Sequence, residues 1–240
     1  MRKSSFGTMV ISLGLCAWGA TASLAYDGGP VSNGGTISGS VKFQGAPPAA
    51  KPIEVTKDKE VCGAHEIKNE SVLVGAGGGI ENAIVSITSI SKGKPMAADA
   101  PVLDQKGCTY VPHVLLFPAG STVKINNDDG ILHNIHTYST KNPPVNMAQP
   151  KFKKTIEAKF EQPEVIRVTC DAHGWMEGWF IAEDNPYYAK TDANGAYSLT
   201  DVPPGDYELK VWQEKLGEKT QKVTVTAGGT AKADFELAAK

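Results

Sequence analysis

Short stretches of alternating apolar and polar residues recur along the chain and predict β-strands. Clear examples lie at residues 36–43, 83–87, 114–117, 155–158 and 164–170. Turn-forming residues separate them, and the 25 glycines and 15 prolines of the 240 residues suit many short strands joined by tight turns. After residue 25 we find no persuasive amphipathic helix. The pattern predicts an all-β fold, with a Greek-key β-sandwich over residues 36–183 and a linker over 26–35.

Residues 184–240 continue the same rhythm and are predicted to form a small separate β-module. Its 57 residues are few for a self-sufficient sandwich core. An alternative therefore stays open, in which strands at 36–43 and 80–87 complete the module and the larger sandwich is an insertion. The simpler connection favours an appended module.

The first 25 residues are predicted to be a cleaved signal peptide. Arg2 and Lys3 precede an apolar stretch, and small residues follow at the expected cleavage site. We therefore expect a periplasmic or secreted protein, without membrane insertion after cleavage. The composition, 41% hydrophobic and 21% charged, excludes a disordered or polytopic membrane protein. A net charge of −2 gives no indication of nucleic-acid binding.

Cleavage leaves three cysteines, so one thiol is unpaired in an oxidising compartment. Our hypothesis pairs Cys62 with Cys108 and leaves Cys170 free. The alternative is an arbitrary pair and an inert buried cysteine. The residues around Cys170 favour the first, because the segment Cys170-x-x-His173-x-x-Met176 offers a thiolate, an imidazole and a thioether in one loop after a predicted strand. Thiolate and thioether are soft ligands that favour copper, and imidazole suits it too.

A further imidazole comes from His133, which follows an Asn-Asn-Asp-Asp-Gly turn and precedes Asn134. An Asn-rich turn leading to His-Asn, then Cys-x-x-His-x-x-Met at a strand-loop-strand corner, resembles the cupredoxin family, and the loop spacing is similar to that of amicyanin. The resemblance implies one type 1 copper per chain, held by His133, Cys170, His173 and Met176. It places Asn134 where a side chain ties the first-histidine segment to the cysteine loop.

The resemblance implies an electron carrier, not an enzyme, that meets a transient redox partner such as a cytochrome c or a dehydrogenase. The exposed edge of His173, framed by Trp175, is the expected electron port. An extra segment around Cys62 and Cys108 could cover that edge. Two other functions stay open: copper binding for trafficking, and a non-redox exported interaction protein whose metal site is incidental.

The other histidines have weaker signals. His136 should face away from His133 in an extended segment, so we predict a surface or second-site role. His113 is predicted to be structural, with a further metal ligand as the alternative. Both are kept as possible additional metal ligands for the trafficking hypothesis, together with Met147. Trp175 and Trp179 are expected to pack around Met176 and exclude water.

The string TDANGAYSLTDVPPGDYELKV in the C-terminal module resembles the carboxypeptidase regulatory-like family, a transthyretin-like β-sandwich. Only the second half of that family is matched. The resemblance implies a non-catalytic interaction or spacer unit. The Asp-Ala-Asn-Gly segment within it is predicted to be a hairpin turn.

Overall fold

The computed structural model describes residues 26–49, 51–98 and 100–239. These residues form β-structure almost throughout, which confirms the predicted all-β class. In chain order the elements are β1 Asp27–Gly28, β2 Gly35–Gln44, α1 Lys59–Cys62, β3 Leu73–Val74, β4 Ile80–Glu81, β5 Ile84–Ile87, β6 Lys92–Gly93, β7 Val102–Lys106, β8 Thr109–Val111, β9 Val114–Pro118, β10 Ser121–Asn127, β11 His133–Tyr138, β12 Asn146–Gln149, β13 Thr155–Phe160, β14 Glu164–Thr169, β15 Glu177–Glu183, β16 Tyr188–Lys190, β17 Ala196–Val202, β18 Gly205–Gln213, β19 Gly217–Val225, β20 Thr230–Lys232 and β21 Phe235–Ala238.

Strands β7 to β15 form one β-sandwich, the first sandwich. Its sheets have the strand orders β13-β10-β7-β8 and β12-β11-β14-β15-β9. Alternate residues of both sheets face a shared apolar core, because side chains along a strand point to opposite faces in turn. Phe117, Phe160 and Phe180 meet there with ring centroids 5.3–5.8 Å apart.

The remaining long strands form a second sandwich with its own apolar core. One sheet has the order β16-β5-β18-β19, and the other has β17-β2-β20, with β21 also paired to β2. Strands β2 and β5 precede the first sandwich in the chain, whereas their partners follow it. The first sandwich is thus inserted between strands of the second.

The strand pairing therefore does not follow a division into residues 36–183 and 184–240. It follows the alternative arrangement, in which β2 and β5 complete the C-terminal module. The reason lies in β5, all four residues of which are buried. Val85 and Ile87 face the second core, while Ile84 packs with Val114 and Ile181 of the first sandwich. A strand covered on both faces has no polar side to signal the sheet to which it belongs.

Two smaller expectations also differ from the structure. Residues 26–35, predicted as a linker, contain β1, which pairs in parallel with β6, and the first residue of β2. The turn at residues 192–195 joins β16 to β17, which lie in different sheets, so it is not a hairpin turn. Asp192 still stabilises this turn, since its Oδ1 accepts the backbone N–H groups of Asn194 and Ala196.

The predicted signal peptide, residues 1–25, lies outside the described residues. Within the part of the chain that the structure describes, no helix has the length and hydrophobicity of a bilayer span.

Candidate metal centre

The predicted ligands lie at one end of the first sandwich. His133 is the first residue of β11, Cys170 directly follows β14, and His173 and Met176 occupy the loop between β14 and β15. Strands β11 and β14 are antiparallel neighbours with His136 opposite Thr169, so the start of β11 lies beside the end of β14. This register brings residues about 40 positions apart in the chain into one buried cluster.

Three donor atoms converge in that cluster. His133 Nδ1 and His173 Nδ1 are 3.1 Å apart, and the Sγ of Cys170 lies 4.0 Å and 3.8 Å from them. A point equidistant from all three lies about 2.1 Å from each, within the roughly 2.0–2.3 Å at which nitrogen and sulfur bind a zinc-sized ion. Both imidazoles are 0% exposed and Cys170 is 2% exposed. The triangle therefore fits one metal ion shielded from water.

A carboxylate holds the far side of each imidazole. His133 Nε2 lies 2.9 Å from Asp129 Oδ2, and His173 Nε2 lies 2.8 Å from Asp58 Oδ2. A carboxylate only accepts hydrogen bonds, so each Nε2 carries a proton, and a ring that is neutral presents a lone pair at Nδ1. Two lone pairs 3.1 Å apart repel each other unless a cation lies between them. The donor arrangement thus suits a metal ion, and such carboxylates commonly orient metal-binding histidines.

The electrostatics around His133 and His173 also favour a positive charge. Burial lowers the pKa of His133, but hydrogen bonds with Asp129 and Cys170 outweigh this and raise the pKa to about 8. Burial lowers the pKa of His173, Asp58 opposes that effect, and the charge of His133 lowers it further. The surroundings therefore stabilise one positive charge among the donors.

The loop that carries Met176 is closed by its own backbone. Met176 N–H donates to the carbonyl of His173, and Cys170 N–H donates to the carbonyl of Met176. Met176 is 2% exposed and belongs to the same buried cluster as Cys170. Trp175 stacks at an angle on His173 and donates its Nε1–H to the carbonyl of Cys108. Trp175 thus covers the centre by packing, as expected, whereas Trp179 packs on Trp212 in a separate cluster.

Asn134 ties the segment of His133 to the cysteine loop. Its Oδ1 accepts the backbone N–H of Asp171, the residue after Cys170, at 2.9 Å. Its Nδ2 donates to Asn146 Oδ1. This is the contact that the resemblance implied for Asn134, and it fixes the two ligand-bearing segments relative to each other.

The expectation of an exposed His173 edge is wrong. The imidazole is fully buried because the segment around α1 covers it, with Asp58 on Nε2 and Lys57 Nζ donating to the carbonyl of Ala172. The predicted Cys62–Cys108 disulfide is present and joins α1 to the turn between β7 and β8. No pattern in the sequence pointed to Asp58, which lies 115 residues from His173.

The two additional candidates do not join this centre. His113 Nε2 forms a short hydrogen bond with the buried carboxylate of Glu214, and His136 Nδ1 pairs with Asp171 at the surface. Among the described residues, the only other group of potential ligands combines His133 and Asp129 with Cys108. The sulfur of Cys108 is already bonded to Cys62, so it offers no thiolate.

Comparisons with known proteins found one family model and several solved structures. Residues 181–238 match the family model of the carboxypeptidase regulatory-like domain. No curated protein matches the chain significantly. Solved structures that resemble it include a purple cupredoxin from Nitrosopumilus maritimus, with 25% identity, 35% of this chain and 100% of that one covered, and a TM-score of 0.31.

A mutant of amicyanin in its Cu(I) form shares 21% identity over 41% of this chain and 98% of that one, with a TM-score of 0.32. A Cu-containing nitrite reductase from Thermus scotoductus SA-01 shares 19% identity over 40% of this chain and 25% of that one, with a TM-score of 0.31.

Proposed function

We propose that the chain is an exported copper protein that carries single electrons, with one type 1 copper ion held by His133, Cys170, His173 and Met176. The observation that carries this proposal is the buried triangle of two imidazole Nδ1 atoms and one free thiol. Copper supplies a one-electron couple between Cu(II) and Cu(I) when bound.

The donor chemistry favours copper over harder metals. Thiolate and thioether are soft donors, and the two carboxylates nearby are bonded to the Nε2 atoms and do not point into the triangle. Met176 is proposed as a further, weak donor, because it is buried and its backbone carbonyl accepts the N–H of Cys170. Cys170 would bind as the thiolate, since metal binding removes its proton.

The protein contributes rigidity and exclusion of water. Asp58 and Asp129 fix the two rings, Asn134 fixes the cysteine loop, and Trp175 covers the centre. A donor set held this firmly changes little when the oxidation state changes, which lowers the rearrangement that each electron transfer requires. We propose no catalytic role for the centre, because a Cys170 thiolate held by a metal ion and buried from solvent would not be free to attack a substrate.

The rest of the proposed function concerns the redox partners, the location of the protein and the role of the second sandwich. Partners would be soluble redox proteins such as a cytochrome c or a dehydrogenase, which meet electron carriers through small transient interfaces. The location would be periplasmic or extracellular, in keeping with the Cys62–Cys108 disulfide. The second sandwich would serve as an interaction or spacer unit.

Spectroscopy of the copper-loaded chain tests this function. We expect one copper per chain and intense absorption at about 600 nm from the bond between Cu(II) and the Cys170 thiolate. Cys170→Ser should abolish the band, whereas His65→Gln, a histidine outside the centre, should keep it. A colourless Cu(II) form of the wild-type chain would refute the assignment.

A further inference from the structure

A hydrophobic tip is exposed at the metal end of the first sandwich. Phe152 is 82% exposed and Leu132 is 46% exposed. Burying a Phe or Leu side chain removes apolar surface from water and stabilises the fold, so leaving both exposed forgoes a large part of that gain. We name Leu132 and residues 151–154 the Phe152 tip.

Hydrogen bonds hold the two loops of the tip together. Asn127 donates its backbone N–H to the carbonyl of Lys154, and its side chain donates to the carbonyls of Ile131 and Gln149. Gln149 is in turn the β-sheet partner of His133. The exposed apolar groups therefore sit on a fixed base, and one covalent bond separates Leu132 from His133.

The tip also carries unneutralised positive charge. Lys151, Lys153 and Lys154 flank Phe152 in the chain and are all exposed. None of them forms an ion pair with another described residue, whereas lysines elsewhere, such as Lys159 and Lys215, do. Asp128 is the exposed acid in the neighbouring loop. Three unpaired cations around an apolar side chain, on a chain with a net charge of −2, form a distinct local patch.

The covered His173 edge makes the position of this patch significant. Asp58 and Trp175 close the approach to His173, so a partner cannot contact that imidazole directly. The tip, by contrast, is exposed and adjoins the other histidine of the centre. Electron transfer between proteins needs close approach of the two redox centres, and the tip permits it.

We propose that the Phe152 tip is the docking surface for the redox partner, and that the partner presents an apolar spot rimmed by carboxylates. This inference rests on the proposed electron-carrier function. The lysines would steer an acidic partner, and Phe152 and Leu132 would fill its apolar spot once water is excluded. In each encounter one electron passes, so a ferric haem becomes ferrous as the reduced protein becomes oxidised, and no bond forms or breaks.

Stopped-flow kinetics of the full copper-loaded chain test the proposal. The reduced protein is mixed with two ferric c-type cytochromes, one with an acidic and one with a basic haem edge, over a range of ionic strength. We expect faster transfer to the acidic cytochrome, with a rate constant that falls as salt rises. Reversing Lys151, Lys153 and Lys154 to Glu should lower that rate constant about tenfold or more at low salt.

Two further variants distinguish an effect of the Phe152 tip on the rate constant from an effect of net charge. Phe152→Ala should slow transfer about threefold at every ionic strength, because it removes apolar contact area rather than charge. The control reverses Lys42, Lys222 and Lys232, which are exposed on the second sandwich, to Glu. It makes the same change in net charge and should alter the rate constant less than about twofold, since screening limits distant charges.

Equal effects of the two triple variants, or none from the tip variant, would overturn the proposal. So would lysine-dependent sedimentation with phosphatidylglycerol vesicles combined with unchanged transfer rates, because the tip would then be a lipid-binding surface. A wild-type chain without the visible copper band would instead overturn the electron-carrier function and this inference with it. A normal band with unaltered kinetics would overturn the docking surface alone.

Discussion

Strands β11 and β14 of the first sandwich bear a polar cluster at each end, and the two clusters are satisfied differently. At the end away from Cys170, the carboxylate of Glu164 accepts six hydrogen bonds from the residues that follow β11, Ser139, Thr140, Lys141 and Asn142. At the other end, His133 and His173 direct two imidazole nitrogens at each other across 3.1 Å.

The difference separates a structural polar cluster from a binding one. Buried polar groups in folded proteins are normally paired, so the closed Glu164 cluster needs no ligand. The Nδ1 atoms are paired only if a proton or a metal ion lies between them, while their Nε2 partners, Asp58 and Asp129, are already in place. The same strands thus have one end whose polar groups bond to one another and one end whose donor atoms suit a metal ion.

Copper loading should produce the largest effect, and only at the metal end. A ligand that binds the folded state alone stabilises by about 4 kcal/mol when its free concentration is a thousand times its Kd. We expect that gain in denaturant unfolding of the wild-type chain and its loss in Cys170→Ser. Hydrogen exchange should show added protection at residues 133–138 and 170–176, with less at 139–142. Equal stabilisation of the Cys170 variant would contradict the ligand assignment.

Glu164→Gln should give the next largest effect, at the opposite end. Burial alone would raise the pKa of Glu164, but its hydrogen bonds lower it well below the ordinary 4.5. Its stabilisation is therefore complete above about pH 4.5 and is lost as the pH falls through the folded-state pKa. We expect the variant to lose about 1.5–3 kcal/mol at pH 7 and less at pH 3. Denaturant midpoints at both pH values measure this, and a loss that grows in acid would contradict it.

Asp58→Asn should weaken Cu(II) binding about tenfold, or about 1.4 kcal/mol. The amide keeps the shape of the side chain but removes the negative charge at Nε2. That charge orients the His173 ring and raises the basicity of its Nδ1. Competitive titration with a chelator measures the change. Glu60→Gln is the matched control, because Glu60 is an exposed acid in the adjacent helix and makes no contact with the imidazole. Equal weakening by both variants would mean that only general charge acts.

The sequence was sufficient for those parts of the molecule that local spacing determines. Alternation predicted the strands, and the soft donors near Cys170 predicted a metal-binding loop, two residues of which, Cys170 and His173, converge with His133. Cysteine parity led to the disulfide, which the structure contains.

What the sequence could not predict depends on contacts between distant segments. Asp58 approaches His173 from 115 residues away, and its own neighbourhood contains no pattern that points to an imidazole. Strand β5 is buried on both faces, so its alternation does not reveal that it pairs with β16 and β18 rather than within the first sandwich. The Asp58–His173 contact and the pairing of β5 both depend on contacts that form only in the folded chain, rather than on local propensity.

His136→Gln should have the smallest effect, and it tests whether the polar groups beside the centre belong to it. His136 lies three residues from His133 but faces the surface, where it pairs with Asp171 and stacks on Tyr138. The side chains of the pair are 30% and 50% exposed, and such pairs contribute at most about 1 kcal/mol. We expect unchanged copper stoichiometry, measured by metal analysis after gel filtration, and a stability change below about 0.5 kcal/mol. Loss of a second bound copper in this variant would favour copper trafficking over electron transfer, because a carrier of single electrons needs only the ion held by His133, Cys170 and His173.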